Sequence, residues 1–231
     1  MQKYDASNIA EVNGVRLHYA AAGEGRPVLL VHGNAEDHDL FDVEIGQLLG
    51  AGYRVYAPDS RGHGKNEPLA EYHFDDMAED MYRFIVAMGM DKPAFYGHSD
   101  GGIIGFLLEM KHPGTLGIMA VSGVNLVPEG IVPEFIEEYT KINEKEHDPL
   151  ITLMLTEPHI DPSSLQKIRI PVLVTAGEND LILQSETDRI ASNLPDAELV
   201  IVKGADHGSY ISGSEIMGDL LIDFLKRRWN K

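Results

Sequence analysis

Cysteine is absent from the 231 residues, so the chain has no disulfide framework, no thiol nucleophile and no cysteine-held zinc. That absence suits a reducing compartment, and a cytoplasmic location is the expectation. Basic residues are scarce: 19 Lys and Arg stand against 37 Asp and Glu, a net charge of -18 at pH 7, and the cations form no cluster. Such a surface repels phosphate backbones and anionic lipid, which argues against nucleic acid and membrane as partners. Long hydrophobic runs are missing too. The longest, Val28 to Val31 and Ile103 to Leu108, fall far short of a bilayer's thickness. The start, Met1 to Asn8, carries Lys3 and Asp5 without an apolar stretch and does not read as a secretion signal; no Asn-x-Ser/Thr acceptor occurs either. What remains, 43% hydrophobic and 24% charged, is ordinary globular composition.

Short β-rich apolar runs alternate with longer segments of helical period, the pattern of an α/β fold with a mostly parallel sheet. The Asn-Gly pair in Val12-Asn13-Gly14-Val15 predicts an antiparallel hairpin of two strands at the start. Six more follow near Pro27 to His32, Tyr53 to Pro58, Lys92 to Tyr96, Leu116 to Val121, Pro171 to Ala176 and Ala197 to Val202, eight in all. Met77, Met81, Phe84, Ile85 and Met88 fall at helical spacing behind Asp75 and Asp76, so 75–88 reads as an amphipathic helix whose methionines face the core. Ile216, Leu220, Leu221, Phe224 and Leu225 repeat that period, and Lys226, Arg227 and Arg228 suit the closing helix's negative end. Between Val124 and Ser164 five prolines interrupt the alternation around two short helical patterns. That interval, 124–164, reads as a small cap inserted into a single domain spanning 1–231.

The chemistry concentrates at Gly97-His98-Ser99-Asp100-Gly101, where an apolar strand turns into an apolar helix. Gly-x-Ser-x-Gly in that setting is a nucleophile elbow: the serine occupies a strained turn, and side chains at Gly97 or Gly101 would strike neighbouring backbone. A serine hydroxyl needs a base. Of ten histidines, His207 is the candidate, because Lys203-Gly204-Ala205-Asp206-His207-Gly208 follows the last strand and opens at the same carboxyl edge of the sheet. His98 adjoins the serine but points elsewhere, His112 ends a helix before Pro113, and His18, His73, His147 and His159 have no distinguishing context. The imidazole in turn needs a carboxylate. Asp180, just past the strand that leads into Thr175-Ala176-Gly177-Glu178-Asn179, comes first, Glu178 second and Asp206 third. Oxyanion donors are expected from the backbone N–H of Asp100, after the nucleophile, and of Asn34 in Val31-His32-Gly33-Asn34-Ala35-Glu36.

These motifs, with Asp59-Ser60-Arg61-Gly62-His63-Gly64 after the fourth strand and the order Ser, Asp, His, resemble the α/β-hydrolase superfamily almost from end to end. The resemblance implies an eight-stranded mostly parallel sheet with helices on both faces and a cap. Asn66 stands where that family usually has serine, and the cap is shorter than in many relatives. Haloalkane dehalogenases share His-Gly-Asn but use an aspartate nucleophile, so Ser99 disfavours that activity. Ser99-Asp100-Gly101-Gly102 is also similar to the amino-acid ester hydrolases resembling valacyclovir hydrolase, which implies that Asp100 holds a substrate ammonium group; the alternative is that Asp100 turns away and bonds within the helix start. Glu36, Asp37 and Asp39 read as a solvated acidic loop.

The resulting expectation is a serine hydrolase acting on a small carboxylic ester or related acyl substrate, with no cofactor. C–C, thioester, aminoacyl ester or N-terminal peptide cleavage, peracid formation, and a non-enzymatic ligand-binding member of the fold stay open. Gly62-His63-Gly64-Lys65-Asn66 is a poor phosphate loop, with Asp59 in place of the first glycine and Asn66 in place of Ser or Thr. Glu36, Asp37, His38 and Asp39 are not expected to converge on a metal, since successive loop residues face different ways. The partner is a small molecule, and the oligomeric state is not readable.

Overall fold

A computed structural model describes residues 5–229. Part of the Met1 to Asn8 start therefore lies outside the described residues. Strands β1 (Asp5–Val12) and β2 (Val15–Ala22) form the expected hairpin, closed through Asn13 at φ 47° and Gly14 at φ 79°. Then come β3 (Pro27–Val31), α1 (Asp42–Gly50), β4 (Arg54–Pro58), α2 (Phe74–Ala87), β5 (Ala94–His98), α3 (Asp100–Lys111) and β6 (Ile118–Ser122). Helices α4 (Pro133–Glu146) and α5 (Pro149–Thr156) precede β7 (Val172–Gly177), α6 (Gln184–Asn193), β8 (Ala197–Val202) and α7 (Ile216–Arg228).

The eight strands form one sheet in the order β1-β2-β4-β3-β5-β6-β7-β8, antiparallel at the β1–β2 and β2–β4 junctions and parallel elsewhere. The central strands β3, β5 and β6 are almost wholly apolar because helices cover both faces. On one side α2, α3 and α6 contribute Met77, Met81, Phe84, Ile104, Phe106 and Ile190; on the other, α1 and α7 contribute Ile45, Leu48, Leu221 and Phe224. Met77 and Met81 are core residues, at 1% and 0% exposure. Strand β5 runs two residues past its expected end at Tyr96. Gly97 and His98 pair with Val121 and Ser122, so a glycine that reads locally as a strand terminator stays in the ladder and carries the chain straight into the turn at Ser99.

The loop after β4 is locked by its polar side chains. Asp59 accepts from the His38 backbone N–H (3.0 Å), His38 Nδ1 (2.6 Å) and the Lys65 N–H (3.2 Å). Arg61 makes a two-pronged contact to Asp80 of α2, both arms 2.7 Å, and Asn13 of the hairpin donates to that same carboxylate. Asn66 donates to the carbonyls of Asp59 and Ser60 and accepts the His18 N–H, so the departure from serine ties the loop to β2. His32 accepts the Ser60 N–H on Nε2 and donates from Nδ1 to the Gly33 carbonyl. Burial, then neighbouring His63, hold its pKa down at about 4, which keeps the ring neutral for both roles. The ends of β3 and β4 are thereby fixed to each other.

Glu44 of α1 breaks the rule that buried charge is paired. It is 0% exposed, no other described residue partners either carboxyl oxygen, and burial, opposed only by its own backbone N–H, pushes its pKa from 4.5 to about 8. The raised value means that folding favours the protonated acid: its contribution is intact below pH 4.5 and drains away as pH climbs toward 8. Glu44→Met should therefore stabilise the protein by about 1–3 kcal/mol at pH 8, roughly 2–4 °C per kcal/mol, with a smaller gain at pH 5. Thermal unfolding at the two pH values measures this; an equal effect at both contradicts it.

Candidate active site

The parallel strands deliver their loops to one edge, and a cavity of about 280 Å³ opens there. Asn34 reaches it from the loop after β3, Ser99 and Asp100 from the β5–α3 turn, and His207 from the loop after β8. Phe135 and Tyr139 of α4, their rings stacked 4.2 Å apart, and Leu150, Ile151 and Met154 of α5 supply apolar wall.

Ser99 is half-buried at φ 51°, ψ -118°, a conformation that costs an L-residue of the order of 1–3 kcal/mol. Its N–H donates to the Ser122 carbonyl at 2.8 Å, and its own carbonyl accepts from Gly102 and Ile103. The flanking glycines are required by contact: a methyl at Gly97 would meet the Gly101 backbone, and one at Gly101 would meet the Val31 carbonyl. The turn is thus pressed between β3 and the start of α3.

Asp180 follows β7 with a side chain only 2% exposed, and His207 donates from Nδ1 to its Oδ1 at 2.7 Å. The Ile182 and Gly177 N–H groups donate to the same carboxylate at 3.0 and 3.1 Å. Burial works against the charge, yet the hydrogen bonds from His207, Ile182 and Gly177 outweigh it and keep Asp180 below the ordinary aspartate pKa. With Nδ1 engaged, Nε2 of His207 is the nitrogen left for a hydroxyl. The competing acids are used elsewhere. Glu178 accepts the Gly204 N–H, and Asp206 accepts those of Gly208 and Ser209.

Gly123 is a site residue that sequence reasoning passed over. It sits just past β6 at φ 59°, and a methyl there would lie 2.6 Å from His207 Cε1, so the imidazole fits only because that position is bare. The sole local signal is a glycine at a strand end. Beneath it a chain of hydroxyls joins the strands: Tyr96 to Ser122 at 3.0 Å and Ser122 to Thr175 at 2.6 Å.

Asp100 does not bond within the helix start. Its Oδ2 accepts from Asn34 Nδ2 at 3.0 Å, and the same Asn34 amide donates to the Leu150 carbonyl of α5 at 3.2 Å. Burial raises the Asp100 pKa to about 6, opposed by the Asn34 hydrogen bond and reinforced by Glu36. His98 is buried, its ring 4.7 Å from that of His207, and burial followed by His207's charge holds it well below the usual histidine range. Among the described residues no other histidine lines the cavity. His112 caps α3 and bonds Glu79, and His73 bonds Glu157.

Two expectations about the acidic loop change. Glu36 turns toward the site: with its side chain 31% exposed, it lines the cavity and accepts the Gly33 N–H at 2.8 Å. Asp37, His38 and Asp39 do converge, with one ligand-type atom each inside 4.8 Å, because the chain curls into a 3-10 turn at 38–41. His38 Nδ1 is already committed to Asp59, and Asp37 to the Asp39 N–H.

Comparison with known proteins agrees with this fold. A family model of the alpha/beta hydrolase fold matches residues 26–132, and one described as a TAP-like protein matches residues 154–228. The chain has the α/β-hydrolase fold. It is similar to the human serine hydrolase BPHL, 26% identical over 93% of this chain and 84% of that protein. It is also similar to 2-hydroxy-6-oxo-6-(2'-aminophenyl)hexa-2,4-dienoic acid hydrolase of Metapseudomonas resinovorans, 27% identical over 93% and 89%. Bifunctional epoxide hydrolase 2 of Sus scrofa is 32% identical, but the match spans 48% of this chain and only 20% of that protein. Among solved structures, an esterase from Exiguobacterium antarcticum superposes with TM-score 0.80 at 20% identity, over 98% of this chain and all of that one, a likeness of fold. No helix among the described residues is long and apolar enough to cross a membrane.

The packing of the turn predicts a contrast between two glycines. Gly101→Ala should cost about 1–3 kcal/mol or prevent folding, since rigid backbone must move. Gly46→Ala, in the exposed interior of α1 with open space around it, should gain about 0.5–1 kcal/mol. Urea unfolding of both variants measures the difference, and equal midpoints would refute the packing argument.

Proposed function

We propose that the protein is a serine hydrolase that cleaves small carboxylic esters through an acyl-enzyme, with Ser99, His207 and Asp180 as its triad. The observation that carries this reading is the 2.7 Å contact from His207 to buried Asp180 at the edge of the same cavity as the strained Ser99. Ser99 Oγ attacks the carbonyl carbon while His207 Nε2 takes its proton, and Asp180 stabilises the imidazolium. The backbone N–H groups of Asn34 and Asp100 bind the oxyanion. His207 then protonates the departing alcohol; water, deprotonated by His207, attacks the acyl carbon and releases the acid. No step calls for a cofactor. The segment 124–164 serves as a cap, its α4 and α5 side chains forming the apolar wall of the substrate cavity.

A fluorophosphonate should label the wild type at one serine and leave Ser99→Ala untouched, as read by intact mass. Asp180→Asn should lose on the order of 10³–10⁴ in kcat while still folding. A wild type that never labels would turn the reading toward a ligand-binding member of the fold.

A second reading, that the ester carries an amine, is favoured by the charge of the cavity: Glu36, Asp100 and Asp148 line it, and among the described residues no Lys or Arg does. An acid beside a developing oxyanion opposes catalysis unless a cation on the substrate answers it. With Asp100 titrating at about 6, its carboxylate is charged above that pH and available to an ammonium group. The ratio of kcat/KM for aminoacyl over plain acyl esters should then rise as pH passes upward through 6 and collapse by roughly tenfold or more in Asp100→Asn, a charged hydrogen bond being worth about 1.5–3 kcal/mol. Equal losses on both ester types would defeat it.

A further inference from the structure

Glu36 closes the turn between β3 and α1 on itself. Its Oε2 accepts the N–H of Gly33 at 2.8 Å, while Oε1 stands 3.9 Å from His98 Nε2. A methyl on Gly33 would lie 2.7 Å from Oε2 and 3.0 Å from Ser99 Cβ, so the carboxylate and the nucleophile flank the same peptide unit. Between the two ends of this hydrogen bond, Ala35 adopts φ 56°, the left-handed region that costs a residue with a side chain roughly 1–2 kcal/mol. A turn holding such a residue relaxes unless neighbouring contacts fix it. Two contacts do so here: Glu36 to Gly33, and the Asn34 side chain to Asp100 and Leu150.

The same hydrogen bond decides which donor the loop offers. The Gly33 N–H is occupied, and the Asn34 side chain is spent on Asp100 and on α5, so of the donors of residues 33 and 34 the backbone N–H of Asn34 is the one left for a substrate oxygen. We propose that Glu36 is a positioning residue for the oxyanion loop: by accepting the Gly33 N–H it holds the 33–36 turn in the shape that aims the Asn34 N–H at the developing oxyanion. This rests on Ser99 being the nucleophile. Glu36 does not touch the reacting atoms. Its effect is therefore on the transition state, where the oxyanion exists, and hardly on ground-state binding.

The test uses the full-length protein and a p-nitrophenyl ester of a short, uncharged acid, so that no ammonium group enters. Loss of an oxyanion donor typically costs 10²–10³ in kcat, and a displaced donor part of that. Glu36→Ala should lower kcat by roughly 10–100-fold with KM within about threefold of wild type. Glu36→Gln, which keeps an oxygen acceptor of the same reach, should recover to within about fivefold of wild type. Glu36→Asp keeps the charge but is one methylene short; it should fall with alanine, and it carries the test if the alanine variant does not fold. Three results overturn the proposal: kcat of the truncated variants within twofold of wild type, a loss that appears in KM alone, or glutamine as impaired as alanine. Failure of the serine-hydrolase reading looks different, because the wild type itself would then resist fluorophosphonate.

Discussion

A serine held at φ 51° persists only where its surroundings forbid relaxation, and the architecture around Ser99 does that from three sides. The ladder carries β5 up to His98, the Ser99 N–H is tied to β6 through Ser122, and α3 begins at the next residue. The Gly101 backbone lies against the Val31 carbonyl at the end of β3. Strain at one residue is thus supported by the central parallel strands, the part of the sheet most completely buried. The other cavity residues follow from the same geometry, since parallel strands end on one edge and their loops can meet there without long excursions.

The electrostatics of that edge are set by burial more than by net charge. His32 and His98 are held neutral in the interior, whereas Asp180, equally shielded, stays ionised because three donors converge on it. Asp100 falls between these cases. One amide donor from Asn34 does not offset burial and the nearby Glu36, so its pKa rises to about 6. The number of hydrogen-bond donors aimed at each carboxylate accounts for the ordering of the two aspartates.

Much of this was legible in the order of residues, and the reason is that the informative features are local. Alternating apolar runs foretell the strands, the Asn13-Gly14 pair foretells the hairpin, and a glycine two places either side of Ser99 foretells the turn. Asp180 and His207 each stand just after a strand, and topology converts those positions into proximity. What stayed hidden needs three dimensions. Gly123 matters only because an imidazole from 84 residues downstream occupies its missing side chain. Glu36 belongs to an acidic run with Asp37 and Asp39, and nothing in the run marks the carboxylate that lines the cavity. Strand β5 ends at His98 rather than Tyr96 because Gly97 and His98 pair with Val121 and Ser122, a long-range contact the local sequence does not carry.

Asn34 joins these elements. Its side-chain amide donates to Asp100 at the start of α3 and to Leu150 of α5, so the turn at Ser99 and the helix that walls the cavity share one residue. A shift of α5 that withdrew the Leu150 carbonyl would free one N–H of that amide and loosen its hold on Asp100. Buried polar groups that share a donor move together, because leaving either partner unsatisfied costs about 1–3 kcal/mol. The turn at Ser99 and the position of α5 are therefore joined through the single Asn34 side chain.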